Sequence, residues 1–386
     1  MIMLTKGFQK LLAGMLAAAL LLAGCSTAQA PASGDGSGTE TIKLAFEGPL
    51  TGNGAQDMLL CRNAVELAVE QFNAKHEADG IRVEVEYADD KADPKEAANL
   101  ASKFVADSDI KAVIMGFNSS CSLAAAPIYN GAPLAQVNWF AISPSLSEAG
   151  ENIFRVIPTG ALMVQYLEQW LQDDGHKKVA FFYENSDYGK GLYDVVEAQA
   201  ADYGIEIVGA EAFLLDTKDF SAVINKFKAA DPDAVVIFGQ YEAASLWCRQ
   251  AKDLGMDKPL YGTDGIFAPA MIDLAGEASE GTKTVAEFST DSANPVVQQF
   301  VKDFTAKTDG EPSACAGFAY DAVNVILKVI ENGARTREEI SAGLSKISGF
   351  EGVTGSISID ENGDRKYEDG AFIKCEVQDG KWTVIS

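Results

Sequence analysis

The sequence predicts an α/β protein with two lobes, each built on a doubly wound parallel sheet. Short apolar runs typical of buried strands alternate with segments of helical period along most of the chain. This strand–helix order occurs in two series, with Pro158 between them. About 345 residues follow the N-terminal segment, which is enough for two domains of ordinary size.

The first series accounts for the N-terminal part of the predicted fold. Its predicted elements are a strand at 42–46, a helix at 56–73, a strand at 83–87, a helix at 94–106, a strand at 112–115 and a helix at 123–129. Asp93 precedes the second helix and suits its N-cap. Strands that alternate with helices form a parallel sheet covered on both faces.

The second series continues the same order. It predicts helices at 162–172, 188–203, 220–229 and 243–254 and strands at 178–183, 206–212, 234–238 and 260–262. Two more helices, at 295–307 and 314–332, and short antiparallel strands at 356–359, 371–376 and 382–385 complete the chain. Doubly wound lobes bind ligands beyond the carboxyl ends of their strands. Ser119, Tyr188 and Tyr241 follow such ends and are therefore candidate ligand contacts.

The segment 116–122 is the most informative of these strand ends. A buried strand runs directly into Ser119, Ser120 and Ser122, at the start of a helix. The first N–H groups of a helix lack internal acceptors, so together with the hydroxyls they form a pocket for a carboxylate or a phosphate. The alternative is that the serines only cap the helix.

The N-terminus has the features of an export signal. Lys6 and Lys10 precede an apolar run, 11–23, that is short for a membrane span. Leu22-Ala23-Gly24-Cys25 resembles the bacterial lipobox, which implies a signal peptide at 1–24 and lipidation of Cys25; the alternative is an ordinary secretory signal cleaved nearby. Residues 25–40 are rich in small residues and predict a flexible tether. We expect an exported protein, anchored by lipid to the outer face of the cell membrane or a periplasmic lipoprotein.

Charge and composition exclude several classes of function. The net charge is -25, and removal of 1–24, which carries two lysines and no acid, makes it -27. Such a balance argues against nucleic acid and against electrostatic adsorption to anionic membranes. The two histidines lie in polar surroundings, and the cysteines form no CxxC pair, so neither a metal nor a cofactor is expected. A hydrolase is disfavoured because the GxSxG elbow is missing.

A set of short motifs, in this order and spacing, resembles a known family, the type I periplasmic substrate-binding proteins of ABC importers, in their leucine/isoleucine/valine-binding branch. The motifs are Gly48-Pro49-Leu50-Thr51-Gly52, Ala88-Asp89-Asp90 with Asp93-Pro94-Lys95, Asn118-Ser119-Ser120, Ile142-Ser143-Pro144-Ser145, Tyr188-Gly189-Lys190-Gly191, Lys218-Asp219-Phe220-Ser221, Gly262-Thr263-Asp264-Gly265 and Ala319-Tyr320-Asp321-Ala322.

The resemblance implies two lobes that close on a ligand about a hinge of three chain crossings, near Pro158, Glu287 and Ile357. One lobe would combine 41–158 with 288–356, and the other 159–287 with 357–386. It implies a monomeric, non-enzymatic receptor that delivers a small amino-acid-like solute to an ABC permease with its ATPase. The alternative is a sensing module of the same fold for amides, urea or other small metabolites.

The resemblance also implies roles for particular residues. Ser119, with Ser120 beside it, would bind the ligand α-carboxylate, and Ser147 would complete that clamp. A backbone carbonyl at Ser145 would face the ligand ammonium. The remaining implied contacts are Asp264, which pairs with the ammonium, and Tyr188 and Tyr241, which cover the ligand. The alternatives are that Asp264 is only a turn residue and that each tyrosine only packs at the edge of its lobe.

The sequence departs from the family pattern at two places. Asp57 stands where leucine-binding members carry a tryptophan against the ligand side chain, and a carboxylate in an apolar pocket is costly. We therefore expect a ligand with a polar or basic side chain, unless Asp57 points to solvent. Ala92 and Asn118 stand where the family has a disulfide, and a replacement bridge between Cys61 and Cys121 is a further hypothesis.

Overall fold

A computed structural model describes residues 39–366 and 371–385. The predicted signal peptide, Cys25 and almost all of the predicted tether lie outside these residues. Within them, no helix combines the length and the apolar character that a membrane span requires. No group of three or more His, Cys, Asp or Glu side chains in this part of the chain is arranged to hold a metal ion.

The first sheet has five parallel strands in the order β2-β1-β3-β4-β5. They are β1 (Glu40–Gly48), β2 (Ile81–Asp89), β3 (Ile110–Met115), β4 (Ala135–Asn138) and β5 (Ile153–Arg155). Alternate residues of β1 pack on opposite faces, with Leu44 and Phe46 in one apolar cluster and Ala45 in another. Because both faces are covered, the strands are apolar throughout, as expected of a parallel sheet.

Four helices cover the two faces of this sheet. They are α1 (Ala55–Lys75), α2 (Pro94–Ala106), α3 (Ser119–Asn130) and, from the C-terminal part of the chain, α10 (Ala314–Glu331). Helices α1 and α10 pack together on one face, and α2 and α3 on the other. Asp93 caps α2 as predicted, accepting a hydrogen bond from the Lys95 N–H at 2.8 Å.

The second sheet is mixed. Its five parallel strands are β6 (Lys178–Glu184), β7 (Glu206–Phe213), β8 (Ala234–Phe238), β9 (Leu260–Gly262) and β10 (Lys283–Ala286). After a separate antiparallel ribbon of β11 (Phe350–Gly352) and β12 (Gly355–Ile357), two antiparallel strands extend this sheet at its β10 edge, namely β13 (Ile373–Gln378) and β14 (Lys381–Val384). The resulting order is β14-β13-β10-β9-β8-β6-β7.

The helices around the second sheet again lie on both faces. They are α4 (Gly160–Asp173), α5 (Gly189–Gln199), α6 (Ser221–Ala230), α7 (Tyr241–Asp253) and α8 (Pro269–Ala275). Apolar residues of α4 and α5 pack on Phe181 of β6, whereas those of α6 and α7 pack on Phe182. Two further helices, α9 (Pro295–Thr308) and α11 (Arg337–Leu344), lie between β10 and β13 in the chain; α9 packs against α1, and α11 packs on β3 and β4 of the first sheet.

The chain passes between the two sheets at three places: after β5, after β10, and between β12 and β13. A buried ion pair lies there: Arg155 is 1% exposed, and its Nη2 and Nε lie 2.5 and 2.8 Å from Asp364 Oδ1. The neighbouring Arg365 donates to the carbonyl oxygens of Val156, Thr354 and Ser356. That these segments act as a hinge, with the lobe boundaries given above, stays a prediction.

The hypothesis of a Cys61–Cys121 bridge is wrong. Cys61 packs on the face of the first sheet covered by α1 and α10, and Cys121 packs on the opposite face, among residues of α2 and α3. Helix α10 instead brings Cys315 to Cys61, with the two Sγ atoms 3.4 Å apart and both thiols free. The pairing was not foreseen because the two cysteines are 254 residues apart in the chain.

Candidate ligand-binding site

The carboxyl ends of the two sheets face each other and are in contact. The Asp187 N–H, before α5, donates to Ser120 Oγ at 3.0 Å. The Gly54 N–H, before α1, donates to Glu242 Oε1 at 3.3 Å. The candidate site is therefore the region enclosed between strand ends, which is where doubly wound folds place their ligands.

Ser119 is the first residue of α3 and is buried, and the Ser143 N–H donates to its hydroxyl oxygen at 3.2 Å. Asn118 is the N-cap of α3 and makes no side-chain capping bond. Ser119 and Ser120 both lie inside the helix, so neither occupies the capping position. Ser143 Oγ is also buried and has no hydrogen-bond partner among the described residues. The start of α3 thus offers hydroxyls and free N–H groups to an anion.

Asp264 lies in a 3-10 turn after β9 and is 4% exposed. Its Oδ1 accepts a hydrogen bond from the Tyr188 hydroxyl at 3.0 Å, and that hydroxyl also lies 2.8 Å from Thr263 Oγ1. Its Oδ2 is buried without a partner among the residues that the structure describes. Burial raises the pKa of Asp264 to about 7, against the opposing effect of its bonds from Tyr188, Gly265 and Thr263.

Tyr188 and Gly265 fix the position of this carboxylate. The Gly265 N–H donates to the Tyr188 hydroxyl at 3.3 Å. A Cβ atom at Gly265 would lie 2.6 Å from both that hydroxyl and the Gly239 carbonyl oxygen, so a side chain has no room there. Nearby, the Glu287 carboxyl is also buried, with Oε1 unpartnered in the described chain; burial, and then Asp264, raise its pKa.

A short series of contacts connects the serine and aspartate ends of the site. Ser143, which bonds Ser119, lies against α5: a Cβ atom at Gly191 would be 3.4 Å from Ser143 Oγ. Tyr188 immediately precedes α5 and bonds Asp264. Ser119 and Asp264 are thus connected through Ser143 and the start of α5, and their roles as ligand contacts stay predictions.

Asp57 and Tyr241 belong to a second group of side chains in the same cleft. Asp57 is in the first turn of α1 and is 9% exposed, so it does not point freely to solvent. Burial, and then Glu242, raise the pKa of Asp57 to about 6. Tyr241, the first residue of α7, is buried, and desolvation followed by Glu242 and Asp57 raises its pKa.

The two remaining predicted contacts, Ser145 and Ser147, follow Ser143 in the chain, and Arg155 bonds both the Ser143 carbonyl oxygen and the Ser147 hydroxyl. Ser145 is exposed. The Ser147 hydroxyl donates to Asp364 Oδ2 at 2.6 Å and accepts from Arg155 Nη2 at 2.8 Å, so it belongs to the buried ion pair between the sheets. Sequence reasoning missed Ser143, Glu184 and Glu287 as residues of the cleft. Glu184 had a sequence signal, since it directly follows the strand predicted at 178–183, whereas Glu287 follows β10, which was not predicted.

Comparisons with known proteins agree with this geometry. The family model described as periplasmic binding protein matches residues 41–381. The chain belongs to the periplasmic binding protein family. This is an extracytoplasmic family, and the resemblance and the fold class predicted from the sequence are confirmed.

The similar proteins and solved structures include several amino-acid-binding proteins. A leucine-, isoleucine-, valine-, threonine- and alanine-binding protein of Pseudomonas aeruginosa is 31% identical over 366 residues, which cover 94% of each chain. A leucine-binding protein of Thermotoga maritima matches with a TM-score of 0.81 and 28% identity, over 89% of this chain and 98% of that one.

A branched-chain amino acid transporter substrate-binding protein of Streptococcus pneumoniae, solved with isoleucine, has a TM-score of 0.82 and 28% identity, over 90% of this chain and 99% of the other. The names of these proteins describe the binding of amino acids. Capture of a solute is therefore supported for this chain, whereas the sensing alternative is not favoured.

Proposed function

We propose that this protein captures an amino acid or a similar small zwitterion between its two lobes and delivers it to an ABC permease with its ATPase. The observation that carries the proposal is Asp264, a buried carboxylate with one unpartnered oxygen, in the same cleft as the start of α3. A buried charge without a partner is costly, so a ligand ammonium would relieve that cost.

The proposed clamp uses neutral donors for one end of the ligand and a carboxylate for the other. Ser119, Ser120 and the free N–H groups of α3 would bind the α-carboxylate, and Asp264, held by Tyr188, would bind the α-ammonium. Contact between the lobes excludes water, and charge-assisted hydrogen bonds strengthen in a region of low dielectric. Closure would therefore be favoured by the ligand itself.

Two of the predicted contacts have other surroundings, so the proposal does not depend on them. Ser147 is engaged by Arg155 and Asp364, and Ser145 is exposed. The proposal is supported instead by the two contacts between the lobes, one at Ser120 and one at Glu242, which lie on either side of the enclosed region. Lipidation of Cys25 would hold the receptor at the membrane beside its permease.

Isothermal titration calorimetry of the purified mature chain against the common amino acids tests the proposal. We expect at least one amino acid to bind, and we expect Ser119→Ala and Asp264→Asn each to weaken that binding at least tenfold. Matched controls are Ser102→Ala and Asp253→Asn, which change exposed residues of α2 and α7. Wild-type affinity in both cleft variants would contradict the clamp.

A further inference from the structure

We propose that the ligand carries a second positive charge, on its side chain, and that Asp57, Glu184 and Glu242 bind that charge. The ligand class is then a basic α-amino acid whose side chain ends in an ammonium or a guanidinium group. This inference rests on the proposed function. It assigns a role to the part of the cleft that would receive the ligand side chain.

Three different elements bring these carboxylates together. Asp57 lies in the first turn of α1, Glu184 ends β6, and Glu242 lies in the first turn of α7. Glu242 Oε1 accepts a hydrogen bond from the Gly54 N–H, which places it beside the start of α1 and hence near Asp57. Burial, and then Glu242, raise the pKa of Asp57; burial raises the pKa of Glu184, against the opposing effect of Ser186, and Glu242 adds to the rise.

Asp57 and Glu184 are buried, Glu242 is half-buried, and none of the three has a cationic partner among the described residues. Glu184 is 6% exposed, and its Oε2 has no hydrogen-bond partner in the part of the chain that the structure describes. No hydrogen bond from a described residue reaches the Asp57 carboxylate, and none of the three acids joins a salt bridge among those residues. The neighbouring titratable groups, Tyr241 and Cys61, are neutral when protonated and add no positive charge.

An apolar ligand side chain would leave this cluster uncompensated. Three carboxylates around hydrocarbon would have to bind protons or remain charged in a desolvated region, and both are unfavourable at neutral pH. A cationic side chain would instead pair with all three and convert the same desolvation into strong charge-assisted bonds. Selectivity would follow, because an uncharged analogue leaves the buried acids unpaired.

Pairs of ligands with similar shape and different charge separate the effect of side-chain charge on affinity from the effect of side-chain shape. We suggest calorimetry at pH 8 with lysine against norleucine and with arginine against citrulline, using the full mature chain. At least one charged member is expected to bind ten times more tightly than its neutral partner. In Asp57→Asn, Glu242→Gln and the double variant that ratio is expected to fall to threefold or less. Asp253→Asn, an exposed substitution on α7, is expected to keep the wild-type ratio.

Each result has a distinct meaning. Tighter binding of norleucine, leucine or citrulline than of lysine or arginine overturns the inference; if Ser119→Ala and Asp264→Asn still abolish that binding, the proposed zwitterion clamp stands. A charged-over-neutral preference that survives the double variant overturns the assignment to Asp57 and Glu242. Absence of binding by every amino acid overturns both the inference and the proposed function. The ligand-pair comparison on the wild-type chain decides the matter even if a variant fails to fold.

Discussion

Two buried charge clusters lie between the lobes, and they differ in how their charges are compensated. At the crossings, Arg155 pairs with Asp364 and also donates to Ser143 O and Ser147 Oγ. In the cleft, Asp264, Asp57 and Glu184 are also buried but form no salt bridge among the described residues. The charges of both clusters are removed from water. Only in the first cluster do other protein groups compensate for the lost hydration.

The difference separates a structural role from a binding role. A buried ion pair with satisfied hydrogen bonds holds chain segments together. Removal of one partner leaves the other charge buried, with nothing to compensate for its desolvation. Unpaired buried carboxylates make the opposite contribution, since they destabilise the empty protein and gain a partner only when a ligand enters. The contrast predicts effects of opposite sign at the two places.

The largest effect is expected at the crossings. Arg155→Met removes the partner of the Asp364 carboxylate and should lower the free energy of unfolding by about 3–5 kcal/mol. Urea denaturation followed by circular dichroism measures this change. The double variant Arg155→Met with Asp364→Leu should recover part of the loss. A loss below about 1 kcal/mol in the single variant would show that the pair does not stabilise the crossings.

The cleft should make the empty protein less stable as pH rises. Asp264 has a folded-state pKa of about 7 against an ordinary value of 3.8, so the folded state binds the proton more tightly than the unfolded state. Its contribution to stability is complete below pH 3.8 and is lost as pH rises to about 7, at up to about 1.4 kcal/mol per pH unit.

Stability measured from pH 4 to 8 in the wild type and in Asp264→Asn checks this dependence. The difference between the two chains is expected to shift in favour of the variant over that range. An unchanged difference would mean that Asp264 is not desolvated in the empty protein. Tyr188 and Thr263 face this position in both chains, whereas Glu287, whose pKa is raised by burial and then by Asp264, loses the Asp264 contribution in the variant, so the measured difference includes the coupling between the two acids.

Ligand affinity should change with pH in the opposite sense. In the proposed clamp the deprotonated Asp264 carboxylate binds the ligand ammonium, so we expect the affinity to reach its maximum above pH 8 and to fall by up to tenfold per pH unit below pH 7. Calorimetry at pH 5.5, 7 and 8.5 measures it, with the slope flattened in Asp264→Asn. Tighter binding at pH 5.5 than at pH 8.5 would contradict an ammonium partner.

The smallest effect is expected for an exposed ion pair. Arg82 Nε lies 3.3 Å from Glu84 Oε1, and both side chains are more than half exposed. Arg82→Gln should change the free energy of unfolding by about 0–1 kcal/mol, because solvent and salt screen such pairs. Urea denaturation at low and high salt checks this. A loss of unfolding free energy as large as that of Arg155→Met would show that burial does not explain the difference between the two ion pairs.

Local sequence patterns predicted the longer elements well. The predicted bounds of α2 (Pro94–Ala106) and β8 (Ala234–Phe238) agree with the structure, since Asp93 and Pro94 fix the start of the helix and an unbroken apolar run defines the strand. Strand β4 was missed because it is short and its buried Gln136 and Asn138 break the apolar pattern.

Other omissions were also short elements: β5, α8, β10, α11 and β11 were not predicted as such. Helix α11 had a signal that could have found it, because Thr336 and Glu339 form a capping box in the structure. The late helices α9 and α10 were predicted because they are long and periodic.

The site was only partly predictable. Ser119, Tyr188 and Tyr241 follow from the rule that ligands lie beyond strand ends, and Asp264 from the family resemblance. The partners of each group do not follow from local sequence: Ser147 meets Asp364 across 217 residues, and Glu242 meets Gly54 across 188. Which carboxylates become neighbours depends on how the two lobes come together.

Thermal unfolding of Asp264→Asn at pH 8.5, with and without the amino acid that binds the wild type most tightly, tests the central claim most directly. The account predicts that the empty variant melts at a higher temperature than the empty wild type and that the ligand no longer raises its melting temperature. A lower melting temperature for the empty variant, together with a wild-type response to the ligand, would contradict the claim that Asp264 is an unpaired carboxylate reserved for a ligand cation.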